Sequence, residues 1–117
     1  MFPATYNINY YSGDTYQFIA VPRNSDKTLY DLNGFVASMA ISDRDAFYQN
    51  AEVIMDTNQS TITCTILPGL GGTLVPGTKY YYDLQIVNDE DPVVAERGRY
   101  LYTILKGEIS VTEDITQ

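Results

Sequence analysis

Lys79-Tyr80-Tyr81-Tyr82-Asp83-Leu84-Gln85-Ile86-Val87 and Arg99-Tyr100-Leu101-Tyr102-Thr103-Ile104-Leu105-Lys106-Gly107-Glu108-Ile109-Ser110-Val111-Thr112 decide the fold class of this chain. Both runs are dense in β-branched and aromatic side chains, which suit a pleated, half-buried surface. Between them lies Asn88-Asp89-Glu90-Asp91-Pro92, an acidic segment with no apolar residue to bury. Two such runs around a polar connection predict a β-hairpin with a long turn. In the first run Tyr80, Tyr82, Leu84 and Ile86 share one face, and Tyr81, Asp83, Gln85 and Val87 share the other.

The same period of two recurs upstream. Thr61 to Leu67 places Ile62, Cys64 and Ile66 inward and Thr61, Thr63 and Thr65 outward. Phe35, Ala37, Met39 and Ile41 line one face of another strand, broken by Ser42-Asp43-Arg44-Asp45. Near the N-terminus Tyr6, Ile8 and Tyr10 alternate with Asn7 and Asn9; Ser12-Gly13-Asp14 turns the chain, and Thr15 to Val21 returns it. Asn33-Gly34 supplies the positive φ of a further tight turn. The stretch from Phe47 to Met55 shows no clear period. Pro68 to Gly77 holds four glycines and two prolines, a composition that excludes a helix or a central strand. Gly107 interrupts the last strand pattern, and a glycine there marks a bulge, a bend or a close backbone approach; it would let one long strand change sheets.

These signals predict an all-β fold: one domain over residues 1–117, an antiparallel Ig-like β-sandwich of about seven short strands. Residues 112–117 are expected to fray or to be held by a partner. The expected core is Ile62, Cys64, Ile66, Tyr82, Leu84, Ile86, Tyr102 and Ile104.

Composition narrows the function classes. Fifteen acidic residues against seven basic ones leave a net charge of −8, with no basic cluster. Nucleic acid and lipid headgroups are therefore not expected partners. No basic segment precedes an apolar run at the start, so no secretory signal is read. No stretch approaches the ~18 apolar residues of a membrane helix. The chain has no histidine, which removes the usual Ser-His and Cys-His nucleophilic systems and the commonest metal ligand. Cys64 reads as a small buried hydrophobe. Gly69-Leu70-Gly71-Gly72 lacks the Lys-Ser/Thr of a phosphate loop. Asp43 with Asp45, and the run Asp89-Glu90-Asp91, read as solvated turns rather than calcium sites. No catalytic residue, cofactor or metal is expected, and the chain is not read as an enzyme.

Eleven tyrosines without a tryptophan suit half-exposed sheets and interfaces. Thr5 to Tyr11 carries three of them and no charge, so as an edge it would do little to discourage pairing. Tyr6, Tyr10, Tyr11 and Tyr81 are the candidate partner-interface residues.

Several motifs, in order, resemble one group of proteins. Met1-Phe2-Pro3-Ala4-Thr5-Tyr6-Asn7 with Ser12-Gly13-Asp14-Thr15-Tyr16 is similar to the opening of small virion proteins of tailed bacteriophages. Tyr30-Asp31-Leu32-Asn33-Gly34-Phe35 resembles their next turn. Gly77-Thr78-Lys79-Tyr80-Tyr81-Tyr82-Asp83-Leu84 and Thr103 to Thr116 resemble the ending of the N-terminal domain of phage baseplate upper proteins and related tail-tip modules. The resemblance implies an Ig-like virion building block with no catalytic residues. It implies a location in the virion, on tail or baseplate, after synthesis in the host cytoplasm. The implied role is attachment of fibres or neighbouring subunits, with several copies contacting other virion proteins. Two alternatives stand beside it: a capsid decoration or neck protein, and a carbohydrate-binding module that uses exposed tyrosines.

Overall fold

A computed structural model describes residues 3–88 and 101–113. Among the described residues, eight strands and one helical turn follow each other: β1 (Ala4–Thr5), β2 (Ile8–Tyr11), β3 (Tyr16–Ala20), β4 (Phe35–Ser42), β5 (Tyr48–Asp56), β6 (Thr61–Ile66), α1 (Pro68–Gly71), β7 (Lys79–Asn88) and β8 (Leu101–Thr112). The strands hydrogen-bond in the order β1-β8-β7-β4-β5-β6-β3, with β2 also on β8.

The expected antiparallel Ig-like sandwich is not what forms. The strands make one curled, mixed sheet, a half-barrel that wraps its own core. Two features cause the difference. First, β1 and β2 run parallel to β8, through Ala4↔Leu105 and Ile8↔Ile109. Second, β5 belongs to both halves of the sheet. Its residues 48–51 pair with β4, and its residues 52–56 pair with β6. The featureless stretch 47–55 thus falls almost wholly in β5, the nine-residue strand on which the sheet bends. Its inward residues Ala51, Val53 and Met55 are only half-buried and pack on the core from its rim.

The hairpin of β7 and β8 is the longest ladder, running from Lys79↔Ser110 to Val87↔Leu101. The acidic turn expected between them, with Arg99 and Tyr100, lies outside the described residues, as do residues 114–117 of the tail. The inward face of β7 is as read: Tyr80, Tyr82, Leu84 and Ile86 are all buried. On β8 the parity changes. Leu84 pairs with Leu105 but Gln85 with Thr103, so Ile104 is an extra residue on β8, a β-bulge. C-terminal to it Ile109 and Val111 face the core, and at the bulge Ile104 does so instead. Tyr102, expected in the core, is 40% exposed and lies beside Phe35 at the rim.

Gly107 is therefore neither the bulge nor a positive-φ residue. A Cβ on it would lie 2.0 Å from the carbonyl oxygen of Tyr6. The glycine lets the N-terminal chain press against β8 in the gap between β1 and β2, which follow β8 in one register, Thr5↔Lys106 and Ile8↔Ile109. Three hydrogen bonds fasten that contact: Tyr6 N–H to the Lys106 carbonyl (2.9 Å), Glu108 N–H to Asn7 Oδ1 (3.1 Å), and the Tyr82 hydroxyl to the Tyr6 carbonyl.

The tight turns follow the expected chemistry, with φ of 86° at Gly13 and 82° at Gly34. The glycine-rich stretch departs from expectation. Pro68 to Gly71 closes one helical turn, with proline at its start, where a missing N–H costs nothing. Gly71 has no side chain to occupy the space taken by the Tyr10 hydroxyl, which donates to the Asp14 carbonyl at 2.5 Å.

Candidate interaction surfaces

Among the described residues, strands β1, β2 and β3 each pair with a single strand and carry no charged residue; β4 and β6, which pair on both sides, carry none either. The strands that do carry charge, β5, β7 and β8, each pair with two or more. Sheets usually place charge on their margins, where it opposes further pairing. This sheet does the reverse.

The two margins come close where the sheet curls. Tyr6 spans the gap: its hydroxyl lies 2.7 Å from that of Tyr16, and its ring 5.5 Å from Phe18. Phe18 also packs on Tyr82 of β7 at 6.1 Å, so β3 lies across the hairpin. Burial, and then the Tyr6 hydroxyl beside it, push the Tyr16 phenol up to about 12. Beyond this aromatic cluster a groove of about 840 Å³ opens. One side is the consecutive run Phe18–Ser25, whose residues point to both faces of β3, and no residue of β6 contributes. The groove therefore runs along the unpaired side of β3. Its other side is Ala4, Thr5, Ile104 and Leu105, from β1 and β8.

A second groove, about 980 Å³, crosses the outer face of β4, β7 and β8. Its lining mixes the polar groups of Ser42, Asp83, Thr103, Asn7 and Glu108 with apolar and aromatic surface, and Tyr48 at one end has 64% of its surface exposed. The Asp43–Arg44–Asp45 turn shapes that end. Asp43 Oδ1 accepts the N–H of Asp45 and of Phe47, and Ser42 Oγ accepts that of Arg44. Arg44 sits at φ 65°, a conformation disfavoured for a residue with a Cβ, and its guanidinium lies 3.6 Å from the Tyr81 ring centre. Asp43 is thus the backbone acceptor that shapes this turn. Partial burial raises the Asp83 carboxyl above the usual carboxylate range.

The predicted interface residues do not form one patch. Tyr6 (42% exposed) and Tyr11 (56% exposed) lie on the N-terminal margin, while Tyr10 from the same segment is turned into the core. Tyr81 lies on the outer face under Arg44. Three further large side chains stand open to solvent: Ile19 and Ile54, 61% and 62% exposed, and Tyr48. Ile19 and Ile54 both pair with Thr63, so the three make one row across β3, β6 and β5. The available signal for Ile19 was its position on the polar parity of a short uncharged strand. Cys64 is fully buried, and desolvation pushes its thiol up to about 12, which leaves it unreactive.

The chain matches no protein-family model and no curated protein. Among solved structures it is similar to the internalin-like protein lmo2027 of Listeria monocytogenes, with 13% identity and a TM-score of 0.46 over 94% of this chain. InlP of Listeria monocytogenes gives 14% identity and 0.44 over 94%. A nucleoside hydrolase-related protein from Saccharophagus degradans, associated with carbohydrate metabolism, gives 13% and 0.42 over 93%. The chain spans only 28%, 28% and 23% of those three chains. At that identity and overlap the likeness carries no argument about function.

Proposed function

We propose that this chain is a non-catalytic assembly module of a tailed-phage virion, placed at the tail or baseplate, where it joins fibres or neighbouring subunits. The observation that carries the reading is the placement of charge: among the described residues every strand with a free side is uncharged, and every charged strand pairs with two or more others. In a protein of net charge −8, these margins are where another chain can approach without facing carboxylates. The resemblance of the Ser12–Tyr16, Tyr30–Phe35 and Lys79–Leu84 motifs to virion proteins supports the same reading. The test is protein mass spectrometry and antibody labelling of purified particles from a phage that encodes the chain. Labelling at the tail end is expected. Particles that lack the chain would reject the role, and labelling of the head would move it to decoration or neck.

The outer groove favours a second reading, as a carbohydrate-binding module. Tyr48 offers an open ring beside Ser42 and Asp83, the mix of stacking surface and polar groups that sugars use. Saturation-transfer NMR with soluble oligosaccharides tests it, and the signal should vanish in Tyr48→Ala. No transfer from any sugar would leave the assembly reading alone.

A further inference from the structure

Among the described residues, the groove beside β3 has the form of a strand position without a strand. The sheet ends at β3 on one side, while β8 and β1 continue opposite and line the groove with Ile104, Leu105, Ala4 and Thr5. We propose that this groove receives an extended segment of a partner protein, which pairs with the free side of β3. This rests on the assembly reading and names its contact.

Three observations specify the occupant. An unpaired strand side offers its outward N–H and C=O groups at the spacing of another strand, which selects extended polypeptide over a helix or a small molecule. The facing residues are almost wholly uncharged and largely apolar, from Phe18, Ile19, Ala20 and Val21 to Ile104 and Leu105. Alternate residues of the incoming segment must therefore be apolar, since one of its faces packs on β8. Among the described lining residues the single charge is Arg23, at the end beyond Val21. Its Nη1 donates to the Lys27 carbonyl at 3.1 Å, which holds the cation at that end and leaves its other donors free to engage a ligand. In a chain with an acidic excess, a local cation in an otherwise neutral groove selects a segment with a carboxylate at the matching end. The occupant is a partner segment that is uncharged along its length, apolar at every second residue, and acidic at one terminus.

The test uses the intact chain and short blocked peptides that alternate threonine and valine, ending in aspartate, asparagine or lysine. Amide NMR shifts and hydrogen exchange report the contact. The expected result is that the aspartate peptide shifts and protects amides within 16–23, and binds about tenfold more tightly than the lysine peptide. Arg23→Ala should erase that preference. Ala4→Trp, at an exposed position on the far wall, should block binding by filling the groove. Ile54→Lys, on the outer face, should leave binding unchanged. Proline at alternate peptide positions should abolish it, because proline cannot donate to a ladder.

No shift at residues 16–23 with any peptide in the panel overturns the proposal. So does protection confined to other strands. Self-association of the free chain that Ala4→Trp removes would assign the groove to a second copy and reject a separate partner. A chain present in particles whose groove binds no peptide loses this contact and keeps its virion role. Peptide binding by a chain absent from particles does the reverse.

Discussion

The two margins of the sheet are alike in composition and unlike in construction. Both are short and uncharged. The N-terminal margin is fastened to the rest of the chain: Ile8 and Tyr10 are 1% exposed, and its close contact with β8 at Gly107 is held by three hydrogen bonds. The β3 margin has its ladder to β6 and the packing of Tyr16 and Phe18, while Ile19 stands outside the core. Absence of charge therefore does different things in the two places. At the N-terminal margin it permits burial within the chain. At β3 it leaves a surface on which another chain can settle.

The largest expected effect tests the first half of that contrast. Ile8→Ala should lower stability by about 2–5 kcal/mol, the range for deleting a buried aliphatic side chain. Chemical denaturation followed by circular dichroism would show it. A loss under about 1 kcal/mol would mean that β2 contributes little to the core and resembles the β3 margin after all.

Gly107→Val should come next, at about 3 kcal/mol, near the upper end for forced overpacking. The clash is with the Tyr6 backbone, which cannot rotate away as a side chain can. Hydrogen exchange should rise at residues 4–11 before it rises in β7. Uniform acceleration across the sheet would show that the contact at Gly107 is not a separate fastening.

An intermediate effect comes with alkali. The Cys64 thiol and the Tyr16 phenol are pushed up to about 12, each mainly by burial. Their neutral forms are favoured by folding, so this stability is fully present below their ordinary values. It is lost as pH rises from about 9 towards 12. The denaturation midpoint should hold between neutrality and about pH 9, then fall. Cys64→Ala should fall less steeply over that interval, whereas Tyr11→Phe, at an exposed ring, should follow the parent.

Ile19→Ala should be nearly silent in stability, within about 0.5 kcal/mol, because the side chain is 61% exposed. The comparison with Ile8 is the sharpest available, since both are isoleucines on one-sided strands. A cost near that of Ile8→Ala would place Ile19 in a core contact and remove the basis for an open margin.

Much of the local structure was legible in the residues. The inward sets of β4, β6 and β7 follow from alternation, because side chains on a strand point to opposite faces whatever the strand pairs with. The turns at Gly13 and Gly34 follow from the need for positive φ, a steric property of single residues. The burial of Cys64 follows from its parity with Ile62 and Ile66. Of the surface residues, Tyr6, Tyr11 and Tyr81 were named from alternation or from the lack of charge around them. Ile19 and Tyr48 were not, since exposure of an apolar residue depends on what the rest of the chain leaves uncovered.

What only the tertiary structure decided is which strands meet. Backbone N–H and C=O groups are the same in every residue but proline, so pairing carries little sequence signature. The parallel docking of Ala4–Thr5 and Ile8–Tyr11 on β8 joins residues about a hundred positions apart, and nothing local announces it. The role of β5 as the bend of the sheet depends on two partners at once. The bulge at Ile104 reverses the inward face of β8 partway along, which no fixed period can express. Gly107 was visible as an anomaly, yet its cause is the Tyr6 carbonyl pressed against it from the far end of the chain. Faces are set residue by residue and can be read that way; the choice of neighbours is set by the whole chain burying one core.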